Sequence, residues 1–184
     1  MNVIKTEIEG LLILEPKIFG DSRGYFYESY NKQRFEEVTG LNINFVQDNQ
    51  SKSCYGVLRG LHFQKPPYAQ SKLVRCVKGQ ILDISVDIRK SSPTFGKYVA
   101  VELTEDNHRQ LFIPHGFAHG FVVLSDEAIF QYKCDNFYHK ESEGAVAWND
   151  PEINIDWTIP FDDVILSDKD KVNPLLKDVD WLFE

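Results

Sequence analysis

Two short stretches of this 184-residue chain carry side chains able to move protons or to hold an anion. The first is Val57 to Gln64, V-L-R-G-L-H-F-Q, where Arg59, Gly60 and His62 interrupt an otherwise strand-like pattern. Arg59 and His62 are three apart, so a regular strand would send them to opposite faces. Gly60 between them is a candidate bulge, and a bulge would bring the guanidinium and the imidazole to one face. An interior histidine beside a surface arginine explains the same stretch. The second is Pro114-His115-Gly116-Phe117-Ala118-His119-Gly120, a tight turn feeding a strand and carrying two imidazoles. Imidazole changes charge near neutral pH, which suits general acid–base work.

Such residues need a scaffold, and the surrounding pattern is β-rich. Leu11 to Leu14 is a short strand, and Phe19 to Gly24 is a turn around Arg23. Tyr25 to Tyr30 follows as an aromatic strand bearing Glu28. Asn31 reads as an N-cap, Phe35 and Val38 as a helix face, and Gly40 as the stop. Asn44 to Asn49 is extended, with Gln47 and Asn49 on one face. Lys72 to Val77 and Gln80 to Arg89 are strands joined at Lys78-Gly79. The second sets Leu82, Ile84, Val86 and Ile88 against Asp83, Ser85 and Asp87, one apolar and one polar side. Tyr98 to Leu103, Leu111 to Pro114, Phe121 to Leu124 and Ala128 to Cys134 continue the series. The last places Phe130, Tyr132 and Cys134 together.

Short strands separated by turn signals, without βαβ alternation, predict an all-β antiparallel sandwich or barrel with a few short helices. No linker or repeat divides the chain, so residues 1–184 are expected to form one domain. The irregular tail from about residue 150 is expected to fold back over the barrel.

The formal net charge of −8 excludes a general role on nucleic acid or anionic membrane, and any anionic ligand must meet a local cluster of cations. Three dispersed cysteines, Cys54, Cys76 and Cys134, fit no zinc spacing and read as idle thiols in a reducing cytoplasm. No apolar run of signal-peptide or membrane-span length is present.

Pro114-x-Gly116-x-x-His119 resembles the second motif of the cupin barrels, whose histidine often binds metal. The first cupin motif supplies an H-x-H pair and a glutamate, whereas this chain offers L-H-F-Q. His62, His115 and His119 would have to serve alone, short of the usual ligand set, so no metal is expected.

A more specific resemblance runs along almost the whole chain. G-D-S-R-G-Y-F, F-V-Q-D-N-Q-S-K-S, V-L-R-G-L-H-F-Q, K-L-V-R-C-V-K-G, V-D-I-R-K-S-S-P-T-F-G, R-Q-L-F-I-P-H-G-F-A-H-G-F and L-S-D-K-D occur in one order. Together they resemble the dTDP-4-dehydrorhamnose 3,5-epimerase family. The resemblance implies a cupin-like jelly roll acting on a dTDP-4-keto-6-deoxy sugar. It implies inversion of C3 and C5 through enolates stabilised at the C4 ketone, with no cofactor. By resemblance His62 is the base, Asp170 its carboxylate partner, Tyr132 the acid and Lys72 the donor to the developing O4 charge. Arg23 and Arg59 are assigned to the diphosphate, Glu28 and Gln47 to thymine and deoxyribose, and Asn49 and His119 to the sugar end. Tyr138 is assigned to stacking on thymine, and Glu143 and Lys169 are further ligand positions. Asp83 is a candidate to orient His119 or Lys72. The resemblance also implies a homodimer whose N-terminal segment, with Arg23 and Glu28, enters the partner's pocket.

Overall fold

The alternating middle of the chain resolves into two facing antiparallel sheets in the computed structural model, which describes residues 1–184. The elements are β1 (Asn2–Lys5), β2 (Leu12–Glu15), a hairpin of β3 (Phe19–Asp21) and β4 (Gly24–Phe26), and α1 (Lys32–Thr39). There follow β5 (Gln47–Cys54), β6 (Leu58–Gln64), β7 (Lys72–Lys78), β8 (Gln80–Asp87) and β9 (Tyr98–Thr104). β10 (Gln110–Ile113), β11 (Phe117–Val123), β12 (Glu127–Cys134) and β13 (Glu143–Ala145) complete the set. One sheet has the order β1-β2-β10-β7-β12-β5 and the other β13-β6-β11-β8-β9, the antiparallel sandwich that the strand pattern predicts and the jelly roll that the family resemblance implies.

The helix forms where its caps dictate. The Asn31 side chain accepts from the Arg34 N–H at 3.0 Å, and Gly40 ends the helix in the left-handed conformation, φ +72°. Its buried Phe35 packs on Leu14, Leu73 and Phe112, covering part of the outer face of the first sheet.

Two larger cores position the site. Between the sheets, Val74, Val101, Leu111, Phe121 and Phe130 share one cluster. Outside the second sheet, Leu82, Ile84, Val86 and Ile88 pack against Ile153, Ile155, Trp157, Leu176 and Leu182 of the tail. Each such side chain, fully buried, contributes roughly 1.5–3 kcal/mol. Parallel bridges, Val57 to Ile165 and Arg89 to Phe183, fasten the tail at two points.

β8 corrects one simple expectation. Its apolar side faces the tail, so its polar side, Asp83, Ser85 and Asp87, points into the sandwich and is fully buried. Alternation distinguishes two faces of a strand without saying which one meets water. Other boundaries move for local reasons. The aromatic run ends as a strand at Phe26, and β5 begins only at Gln47 but continues to Cys54. β11 starts at Phe117, earlier than Phe121, because Gly116 turns the chain with φ +93° directly before it.

Candidate active site

The site begins with the irregularity at Gly60. Across the β6–β11 ladder His62 pairs with His119 and Arg59 with Phe121, so three steps on β6 oppose two on β11. This is a bulge, and it turns Arg59 and His62 to the same side, where both line one cavity. Only glycine fits the crossing. Gly60 has φ +137°, and a Cβ there would lie 2.6 Å from Gly120 Cα and 2.9 Å from the His119 carbonyl oxygen. A Cβ on Gly120 would meet the Arg59 carbonyl oxygen at 2.6 Å.

The cavity, about 520 Å³, opens between the two sheets. Asn49, Arg59, His62, Lys72, His119, Tyr132, Lys169 and Asp170 all line it. β6 and β11 of one sheet supply Arg59, His62 and His119, while β5, β7 and β12 of the other supply Asn49, Lys72 and Tyr132. Register brings the second group together: Tyr132 lies opposite Asn49, and Cys134, two residues on, lies opposite Lys72. The Lys72 ammonium sits 5.9 Å from the Tyr132 ring centre. Lys169 and Asp170 arrive from the tail, where Asp170 opens a single 3₁₀ turn.

His62 Nε2 lies 2.6 Å from Asp170 Oδ1. With a neutral ring, Nε2–H donates to the carboxylate and the lone pair is left on Nδ1. Burial alone would push the Asp170 carboxyl upward. Hydrogen bonds from His62, Ser167 and Asn173 outweigh it and hold the group below the ordinary carboxylate range. Burial raises the Tyr132 phenol, keeping it protonated at neutral pH, and lowers the Lys72 ammonium from its usual value. A second pair lies deeper: His119 Nε2 contacts the two Asp83 oxygens at 3.0 and 2.9 Å. Burial lowers this imidazole and raises this carboxyl. Arg59 is braced by Ser53, whose hydroxyl accepts from Nε and Nη2 at 3.2 and 3.1 Å.

Five expected residues stand outside the cavity lining. Arg23, on the exposed hairpin, pairs with Asp21 at 2.6 Å, and Glu28 accepts from Asn31 at 3.1 Å. Glu143 grips Lys169 at 2.6 Å and so touches the rim indirectly. Gln47 donates to Asn49 at 3.1 Å, and its carbonyl accepts from the N–H of the exposed Tyr138. His115 bonds Asp135 on an exposed turn, so the three histidines form no ligand cluster. Ser51, Ser53, Ser167 and Asn173 also belong to the site or brace it, though no motif role pointed to them. The signal for the first two was present, because Gln47, Asn49, Ser51 and Ser53 continue one period of two along β5.

The dTDP-4-dehydrorhamnose 3,5-epimerase family model matches residues 5–178. A dTDP-4-dehydrorhamnose 3,5-epimerase of Shigella flexneri is 60% identical over 181 residues, covering 98% of this chain and 99% of that protein. The crystal structure of dTDP-6-deoxy-D-glucose-3,5-epimerase from Legionella pneumophila, in complex with dTDP-4-keto-L-rhamnose, is 51% identical. It superposes with a TM-score of 0.94 and covers 97% of this chain and 94% of that one. A 3'-monoepimerase from Streptomyces bikiniensis, in complex with dTDP-quinovose, is 33% identical with a TM-score of 0.88, covering 96% of this chain and 88% of that one. Agreement over nearly the full length, in sequence and in fold, makes this chain a member of the dTDP-4-dehydrorhamnose 3,5-epimerase family.

Proposed function

We propose that this chain inverts C3 and C5 of dTDP-4-dehydro-6-deoxy-D-glucose, yielding dTDP-4-dehydro-L-rhamnose in the dTDP-L-rhamnose route. One observation carries the mechanism: His62 and Tyr132 belong to opposing sheets and line the cavity between them. Inversion requires a base on one face of the ring and an acid on the other, and this arrangement supplies both. His62 removes the proton α to the C4 ketone through Nδ1, and Asp170 stabilises the imidazolium that forms. Lys72 balances the negative charge that develops on O4. Tyr132, its phenol kept protonated by burial, delivers a proton to the far face. The hydrogen leaves and returns as a proton, so the chemistry calls for no cofactor.

Arg59 and Lys169 are the cations at the mouth for the diphosphate, and Asn49 and His119 meet the sugar. Arg23 and Glu28 serve the pocket of a second copy. Support for that homodimer is the solvent-exposed hairpin, where Phe19, Tyr25 and Phe26 surround Arg23 outside the chain's own cavity. Three free cysteines suit a cytoplasmic setting.

The test is solvent exchange. Incubation with the 4-keto sugar nucleotide in D₂O should place deuterium at both C3 and C5 by NMR, and His62→Ala should abolish it. Exchange at one carbon would make the chain a single-centre epimerase, and none would sink the assignment.

A further inference from the structure

The loop from Asn136 to His139 carries two exposed aromatic side chains, Phe137 and Tyr138, 63% and 55% accessible. Exposed loop aromatics are ordinarily mobile, yet the backbone beneath this pair is gripped by side-chain amides. Gln64 Nε2 donates to the Phe137 carbonyl at 3.2 Å and to the Tyr68 carbonyl at 2.6 Å, while Gln64 Oε1 accepts from the His139 N–H at 2.7 Å. Gln47 Oε1 accepts from the Tyr138 N–H at 3.1 Å. The peptide unit joining Phe137 to Tyr138 is therefore held at its oxygen by Gln64 and at its nitrogen by Gln47. From outside, Gln70 donates to the Asn136 carbonyl at 2.8 Å.

Gln64 is buried, 6% exposed, and spends its side chain on three backbone groups. It also sits two residues after His62 on β6, so the strand bearing the base fixes the distance to the aromatic loop. We propose that Gln64 is a positioning residue that holds Tyr138 as a preordered platform for a flat nucleobase, in register with His62. The inference rests on the proposed dTDP-sugar substrate and on the family resemblance that assigns Tyr138 to stacking on thymine. Fixing the backbone that carries the ring in the free protein removes the loop's ordering cost from binding, so the gain appears in nucleotide affinity and leaves chemistry untouched.

In Gln64→Glu the carboxylate still accepts from His139 N–H but faces two carbonyls with no proton to donate. Calorimetric titration with dTDP should show Kd raised about tenfold at neutral pH, with kcat on the nucleotide sugar within about twofold. The penalty should shrink near pH 5, where a carboxyl facing carbonyl oxygens regains its proton. In a Tyr138→Ala background the same substitution should add nothing, because Gln64 acts through that ring. Gln70→Leu, which touches the loop from its far side, should give a smaller loss of about threefold with the same dependence on Tyr138. A full penalty persisting without the Tyr138 ring, or a fall in kcat at unchanged Kd, would overturn the proposal. Wild-type protein that fails to bind dTDP would sink the functional reading and this one together, whereas wild-type binding with unmoved variants sinks the clamp alone.

Discussion

The cavity holds two His–Asp pairs whose imidazoles sit opposite one another on neighbouring strands, and their settings differ sharply. The His62 side chain is 34% exposed and its carboxylate comes from the tail, whereas His119 and Asp83 are 7% and 0% exposed and both come from the sheet. At Asp170 three hydrogen bonds overcome burial and keep the carboxyl ionised. At Asp83 burial wins, raising the carboxyl and lowering its imidazole. The same two residue types thus yield one half-exposed pair with an ionised carboxylate, and one buried pair that forms a polar strut within the second sheet at the cavity wall. Solvent access and hydrogen-bond count decide which.

The largest effect should come from removing the open imidazole. His62→Ala is expected to lower kcat by about 10³–10⁴-fold with the fold intact, measured by the exchange assay and circular dichroism. The strut should behave in the opposite way. Asp83→Ala leaves a buried imidazole unpartnered and should cost about 1–3 kcal/mol in denaturant unfolding. A variant that loses activity at full stability would erase the distinction between the pairs. Asp170→Asn should come next, lowering kcat about 10²-fold by weakening imidazolium stabilisation, with KM nearly unchanged. Smallest is an acid effect. The native Asp170 carboxyl lies below its unfolded value of about 3.9, so its contribution is complete above that pH and fades as pH falls through the native value. Thermal melts of Asp170→Asn should therefore depend less steeply on pH below about 4 than those of wild type. Mixing Arg23→Ala with His62→Ala chains offers a separate check on the exchanged hairpin: partial recovery of activity is expected, since a mixed dimer retains one intact pocket.

Much of this was legible in the chain. The three-residue spacing of Arg59 and His62 around Gly60 made a bulge one of two readings, and the ladder contains it, because strand periodicity leaves few ways to bring such residues to one face. The helix was legible from Asn31 and Gly40, whose cap chemistry is local. What escaped depended on distant partners. The alternation of β8 left open which side meets water, because an internal charged pocket and solvent impose the same pattern, and only the tail's packing separates them. Asp170 could be matched through L-S-D-K-D, but nothing near it in sequence tells that 108 residues of separation close to 2.6 Å. Arg23 is the converse case, prominent in the first motif yet outside the cavity lining of its own chain, as Glu28 is too.

The tail serves two purposes at once. It shields the outer face of the second sheet and it delivers Asp170 to His62. The barrel strands end at Ala145, and without the tail the outer face of the second sheet is bare and His62 lacks its carboxylate. The final forty residues or so, about a fifth of the chain, then close both deficits in one event. Covering the second sheet and completing the His62–Asp170 pair are thus one packing event.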